Sequence, residues 1–476
     1  MSEILLIAPV LLPLLIAPLV VMLGSQRAGW LLAVLAALLA TLASAALLPA
    51  LGEGPRSYHF GNWPPPFGIE YVLDGLNTPL LLLTNASALL ALIAATPATL
   101  AGRFAGREPV FYALFLLCLS GLSGILATGD AFNVFVFLEI SSLCTYGLVA
   151  AGPRPGSALA AFQYLILGTL GGSFVLLGVG FWLQATGTLN MADLAQRLPQ
   201  SEYSAVALAG SVLLLLGFAL KSASFPLQQW LPAVYAAAPW PVTAFLAACA
   251  TKVAIYAMVR LALDVAALGE AARWLFGLIA LVGIVWGALA ACVQRDLRRM
   301  LAWSSVSQLG YILFAFSLGT AAGVTAAMIQ FFSHGAIKGG LFLALGPARH
   351  FDDLAGLRER EPWRCAMLTL LTMGLLGVPL TAGFAAKWAL LSAAAQAGHG
   401  IGLGVVIFSS LLAVVYCLRL LEPVWLRAPE REAPQLPRHS MLLPPALATL
   451  AMFALGLTPW AASFGRPAAQ ALGWAP

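Results

Sequence analysis

The chain has 476 residues, of which 61% are apolar and only 9% charged, against roughly a quarter charged in soluble domains. That balance excludes a soluble enzyme and identifies an all-α, polytopic membrane protein. A net charge of +5 would suggest nucleic acid as the partner of a soluble chain, but here the arginines fall in short connecting loops and report topology.

A membrane-crossing helix needs about 20 apolar residues, and that measure predicts fourteen spans: 4–24, 29–51, 72–96, 110–128, 131–151, 158–184, 204–236, 240–262, 271–293, 300–318, 322–346, 365–395, 401–424 and 441–463. Only Glu3 precedes the first apolar run, so it reads as a retained span rather than a cleaved signal. The longest polar intervals, 52–70 with its Pro64 to Pro66 run, 185–203, 347–364 and 425–440, are too short to hold a core. Residues 1–476 are therefore expected to form a single transmembrane domain.

Arginine placement predicts orientation. Loops after odd-numbered spans hold Arg27, Arg103, Arg107, Arg154, Arg295, Arg298, Arg299, Arg349, Arg358, Arg360, Arg364, Arg419, Arg427, Arg431 and Arg438. Loops after even-numbered spans, with the C-terminal tail, hold Arg56, Arg197, Arg273 and Arg466, and Arg260 lies at a helix end. The positive-inside rule then places both termini outside the cytoplasm of a cell (inner) membrane.

All four lysines, Lys221, Lys252, Lys338 and Lys387, sit inside apolar runs. A lysine at bilayer depth costs about 2.5–3.5 kcal/mol on insertion scales, and it defaults to a functional reading. Lysine also gives up its proton readily when desolvated, whereas guanidinium keeps its own. This pattern points to proton movement through a membrane.

The seventh and twelfth spans read as broken helices. Pro226 is expected to free the Ser222 carbonyl just after Lys221, and Pro379 to free the Leu375 carbonyl just before Lys387. Interrupted helices in corresponding positions suggest two inverted five-helix repeats, 108–262 and 270–424, with Lys221 and Lys387 as counterparts. Prolines that merely bend helices are the bland alternative.

Glu139 is the acid deepest in a span. Facing a lysine it can ionise and hold that lysine charged; alone it would be a neutral acid bonded to a serine. His334 and Lys338, four residues apart, share a helix face about 6 Å apart along the axis. Imidazole can relay a proton to a neighbouring base, or simply donate to a carbonyl between helices. Cys118, Cys144, Cys249, Cys292, Cys365 and Cys417 lack any spacing suited to zinc or an iron–sulfur cluster. They are expected to be reduced, with no metal and no cofactor.

Several runs resemble the proton-translocating antiporter-like subunits shared by complex I, membrane-bound hydrogenases and Mrp-type cation/proton antiporters. They are KSASFPLQQWLP at 221–232, APWPV at 238–242, TKVAIY at 251–256, Phe137 to Glu139 with Ser141 and Ser142, QRDLRRMLAWSSVSQLGY at 294–311, His334 to Lys338, and GFAAK at 383–387. The resemblance implies Glu139 and Lys221 as a switch pair, Lys252 and His334 as a central relay, Lys338 as its helper and Lys387 as the terminal lysine. Other membrane subunits are the implied partners, with protons and Na+ or K+ as the ions moved. The family often has His where Gln228 stands and an acid or small polar residue where Ala233 stands, departures that put the cytoplasmic uptake route in question. Tyr235 and the Thr251 to Val253 run look most like the D subunit of Mrp antiporters; the alternative is a proton-pumping subunit of complex I or a hydrogenase-type redox complex. No paired intramembrane aspartates and no Gly-x-Ser-x-Gly motif support a membrane-embedded enzyme.

Overall fold

The computed structural model describes all residues except 1–2, 101–103, 105, 267, 429–441 and 475–476, and also omits the side chains of 52 and 53. Arg103, Arg431 and Arg438 therefore lie outside the described residues, as does most of the 425–440 interval.

Among the described residues, twelve helices are long and apolar enough to cross a membrane. They correspond to the first eleven predicted spans and the thirteenth. The two remaining predicted spans are interrupted. The twelfth is split into Pro362–Leu376 and Ala382–Gln396, each too short to cross alone, and the fourteenth, Leu443–Leu457, bends by 65° into Ala462–Ala471. The seventh is also split, into Ser204–Lys221 and Trp230–Ala237.

One element departs from the all-α expectation. The 52–70 interval is not plain loop: Arg56–His59 pairs antiparallel with Glu70–Leu73, in the register Arg56 to Leu73 and His59 to Glu70. The hairpin is anchored where Glu70 accepts from Asn190 Nδ2 at 2.6 Å and its carbonyl accepts from Gly129 N at 2.9 Å. Short strands separated by a proline-rich turn carry too few apolar residues to announce themselves against the helices around them.

Burial sorts the helices into layers. In the most apolar stretch of both Trp240–Val265 and Ala321–Leu345, 94% of residues are buried, against 33% for Gly400–Leu426. The eighth and eleventh spans therefore form the axis of the molecule, and the outer spans turn leucines such as Leu411 and Leu450 toward lipid. The first helix, Ile4–Leu23, packs on Gln26–Leu47 and Glu108–Ala127, with Val10 and Val20 wholly buried.

Two helix starts are built alike. Asp130 caps Ala131–Ala150 by accepting from Asn133 N at 2.7 Å, and Asp296 caps Leu297–Ser317 by accepting from Arg298 N and Arg299 N at 3.0 Å. Ala131 N donates to Leu189 O, and Leu297 N donates to Arg349 O, both at 2.9 Å. In each case the strand-like residue before one span pairs with the loop that follows the next span.

The loop arginines have structural partners as well. Arg298 donates to the carbonyls of Ala238 and Gly346, Arg364 to those of Ala344 and Leu345, and Arg419 to those of Cys292 and Gln294. All six carbonyls lie at helix C-terminal ends, where the ladder leaves acceptors unmade and the helix dipole favours a cation. All six cysteines are free thiols.

A buried lysine axis as candidate functional site

Every lysine is buried, and each is held by a short set of oxygen atoms. Lys221 is the last residue of Ser204–Lys221. Its Nζ donates to Ser142 Oγ at 2.7 Å and Tyr146 Oη at 3.4 Å, and stands 3.6 Å from Glu139 Oε1. Glu139 Oε1 is buried and has no hydrogen-bond partner among the described residues, so the contact is an ion pair at a distance rather than a direct bond. The serine hydroxyl, not Glu139, makes the short contact with the ammonium.

Room for that carboxylate comes from the sixth span. A methyl group at Gly172 would collide with Glu139 Oε1, and one at Gly168 with Tyr146 Oη. Both glycines lie in Ser157–Thr186, where a missing Cβ lets an acid and a phenol approach the helix.

A cavity of about 40 Å³ opens beside Lys221, lined by Ser141, Ser142, Thr145, Tyr164, Tyr235 and Thr251 among others. A single water needs about 10–15 Å³ of such space. The cavity runs from Lys221 to Thr251, the residue before Lys252 in sequence.

Lys252 is the second residue of the α-helical stretch Thr251–Val259, which is flanked by π-helical turns at Leu246–Ala250 and Arg260–Val265. Its Nζ donates to the Ala247 carbonyl at 2.7 Å, inside the first π-helical turn. Such turns recur at functional sites because they re-aim carbonyls and side chains.

His334 lies within electrostatic reach of both Lys252 and Lys338. It is 2% exposed, and neither ring nitrogen has a hydrogen-bond partner among the described residues. The expected alternative, a histidine donating to a carbonyl, is not what is seen. Lys338, one turn on in Ala321–Leu345, donates to the Leu301 carbonyl at 3.0 Å and makes a very short contact with Ser304 Oγ. Cys417 is in turn within reach of Lys338 and Lys387.

Lys387 sits in Ala382–Gln396, beyond the break, and donates to the Leu376 carbonyl at 2.8 Å. The freed acceptor is thus one residue later than the Leu375 carbonyl expected from Pro379, because the first segment ends at Leu376 and Gly377 turns into the left-handed region. At the seventh span, the Leu220 carbonyl accepts from Trp230 Nε1 at 2.8 Å, while Ser222 and Ser224 bond each other through their hydroxyls at 2.8 Å.

Of the six sequence-predicted residues, the structure pairs half-buried Glu139 with Lys221, brings His334 within reach of Lys252 and Lys338, and sets Cys417 within reach of Lys338 and Lys387. Tyr146, Gly168 and Gly172 belong to the Glu139 and Lys221 station, although sequence reasoning did not single them out. A pair of glycines in a membrane helix is too common to signal by itself. Gln228 is wholly buried with both amide atoms unpartnered among the described residues, so this departure from the family stands at an unusual polar position.

A buried charged cluster also escaped notice. Arg260 makes a very short ion pair with Asp74 and a second at 2.9 Å with Asp264, and donates to Tyr256 Oη and the Ala471 carbonyl. Asp74 itself accepts from Leu76 N and Asn77 N at the start of the third span. The cluster ties the third and eighth spans to the C-terminal helix Gly465–Ala471.

With this geometry in hand, comparison with known proteins is decisive. The family described as NADH:quinone oxidoreductase/Mrp antiporter, TM, matches residues 128–413. The chain belongs to that family. The matched segment contains all six sequence-predicted residues. The N subunit of NADH-quinone oxidoreductase from Desulforudis audaxviator is 41% identical over 443 residues, covering 89% of this chain and 88% of that protein. The D subunit of the Na(+)/H(+) antiporter from Alkalihalophilus pseudofirmus is 30% identical over 349 residues, covering 72% and 70%. Among solved structures, a chain of the Mrp complex from Dietzia superposes with a TM-score of 0.89 at 26% identity, over 99% of this chain and 98% of that one.

Proposed function

We propose that the chain is the proton-translocating subunit of a multisubunit monovalent cation/proton antiporter, passing protons along Glu139, Lys221, Lys252, His334, Lys338 and Lys387. The observation that carries this reading is the set of four buried lysines, of which only Lys221 faces a carboxylate among the described residues, at 3.6 Å. Ammonium groups held by hydroxyls and carbonyls can release a proton without leaving an unpaired buried anion. Glu139 serves as the switch: its charge favours the ammonium form of Lys221, and moving that charge away favours release.

The two inverted repeats, 108–262 and 270–424, are part of the proposal. Their support is the matched pairing at Asp130 and Asp296, together with the spacing beyond it. Lys221 follows Asp130 by 91 residues, and Lys387 follows Asp296 by 91. Both termini lie outside the cytoplasm in this reading, supported by the arginine distribution.

The test is the purified complex in proteoliposomes with an entrapped pH dye. A pulse of Na+ or K+ is expected to drive proton movement, and Lys252→Ala to abolish it without loss of assembly. Absence of cation-driven proton movement in the wild-type complex would overturn the antiporter reading. The second reading, a proton-pumping subunit of a redox-driven complex, is favoured by the 41% identity to the N subunit of an NADH-quinone oxidoreductase. The proteins that co-purify with the chain decide between the two.

A further inference from the structure

At the end of the bundle away from the hairpin, a cavity of about 420 Å³ opens between Pro155–Gln163, the second segment of the seventh span and the start of the tenth. Its polar walls come from Arg154, Arg299, Arg349, Gln163, His350 and Asp296. Three guanidinium groups thus face one carboxylate. Even that carboxylate is partly committed, because Asp296 Oδ1 accepts from Arg298 N and Arg299 N. The nearby Asp353 uses Oδ2 on Arg349 N and His350 N, at 2.7 and 2.9 Å.

Positive charge is left over. Arg154 Nη2 stands 2.9 Å from Asp296 Oδ2 but is not aligned for a hydrogen bond, and both its Nε and Nη2 are buried without a hydrogen-bond partner among the described residues. Partial burial, and then the Arg154 guanidinium, hold the Arg349 pKa below the ordinary arginine value despite Asp296 and Asp353. The Ser157–Thr186 helix also begins here after Gly156 with no side-chain cap, so its first-turn N–H groups add to the attraction for an anion.

The apolar surroundings decide which anion. Leu159, Phe162 and Ile166 are 60%, 59% and 52% exposed, and their spacing makes one stripe running from the cavity along the outside of the same helix. An apolar stripe outside a membrane helix meets acyl chains. A phosphate group in the cavity with hydrocarbon along this stripe is the shape of a phospholipid.

We propose that this cavity binds the phosphate headgroup of an anionic phospholipid, with Arg154 and Arg349 as its principal ligands and the Leu159, Phe162, Ile166 stripe as the seat of an acyl chain. Basic cavities between membrane helices at headgroup depth favour such lipids. The bound lipid joins the seventh-span segment Trp230–Ala237 to the start of the tenth span. This inference does not rest on the transport reading, since binding is measured without turnover.

The assembled complex is reconstituted with phosphatidylglycerol or phosphatidylcholine, and the lipid retained after detergent exchange is counted by native mass spectrometry. The wild type is expected to keep phosphatidylglycerol in preference to phosphatidylcholine. Arg154→Gln with Arg349→Gln is expected to lower that retention by about fivefold or more, while Arg154→Lys with Arg349→Lys keeps most of it and Arg197→Gln changes nothing. If the double glutamine variant does not assemble, photoactivatable phosphatidylglycerol on the wild-type complex takes its place, with labelling expected on peptides covering 154–166 and 346–350. Equal retention in wild type and double variant, no labelling of those peptides, or displacement of the lipid by millimolar inorganic phosphate would overturn the proposal, the last by making free phosphate the ligand.

Discussion

The two halves of the lysine set solve the same problem differently. Glu139 stands nine residues beyond Asp130, and Ser305 stands nine beyond Asp296; Gly172 stands 42 beyond the first aspartate, and Lys338 stands 42 beyond the second. In the first half an acid approaches a glycine and sits 3.6 Å from a lysine on another helix. In the proposed second repeat Lys338 stands at the offset the glycine has in the first, and its ammonium is held by Ser304 and the Leu301 carbonyl. Lys221 therefore has a carboxylate beside it, whereas Lys338, like Lys252 on the Ala247 carbonyl, is held by dipoles alone. A full charge can be moved or removed to drive a proton off, whereas hydroxyls and carbonyls let a proton go without leaving a buried anion behind. In the proposed mechanism the switch is the Glu139 and Lys221 pair, and Lys252, Lys338 and Lys387 form the conduit.

The largest expected effect comes from removing a station in either half. Lys221→Ala, Lys252→Ala and Lys387→Ala should each reduce ion-coupled proton flux to the level of empty vesicles, with assembly judged by co-purification. Substantial flux through any of them removes that lysine from the path. Arg260→Gln, outside the proposed relay, should separate stability from transport. Breaking a buried pair costs about 3–5 kcal/mol, so the variant should lose thermal stability strongly while any folded fraction still transports.

Gly172→Ala sharpens the comparison at its centre. The new methyl group meets Glu139 Oε1 and must displace the carboxylate from Lys221. A strain of about 1 kcal/mol corresponds to roughly a fivefold loss of flux, and wild-type flux in this variant would show that the position of Glu139 is unimportant. Ser304→Ala should have the smallest effect, because the Leu301 carbonyl still holds Lys338. A loss as large as that from a lysine substitution would mean that the second half depends on its hydroxyl as the first depends on its acid.

Much of this was legible in sequence because hydrocarbon is an unforgiving solvent. Lysines in apolar runs, prolines at 226 and 379, and the spacing of His334 and Lys338 mark groups that the structure buries or sets beside a helix break. The hairpin at 56–73 was not legible, since its strands are four residues each. Arg260 read as a helix-end topology marker because its partner Asp74 lies 186 residues away, and pairing at that distance leaves no local pattern. Gly172 was invisible for a similar reason: what matters is the acid that a neighbouring helix points at it.

The central claim is that Glu139 acts through its negative charge. The most direct measurement is proton flux in vesicles at matched expression for Glu139→Asp and Glu139→Gln. Aspartate keeps the charge and retracts it by one methylene, so intermediate flux is predicted; glutamine keeps the shape and loses the charge, so flux near background is predicted. Near-normal flux with glutamine and poor flux with aspartate would contradict the account, showing a neutral glutamic acid that only bonds its neighbours.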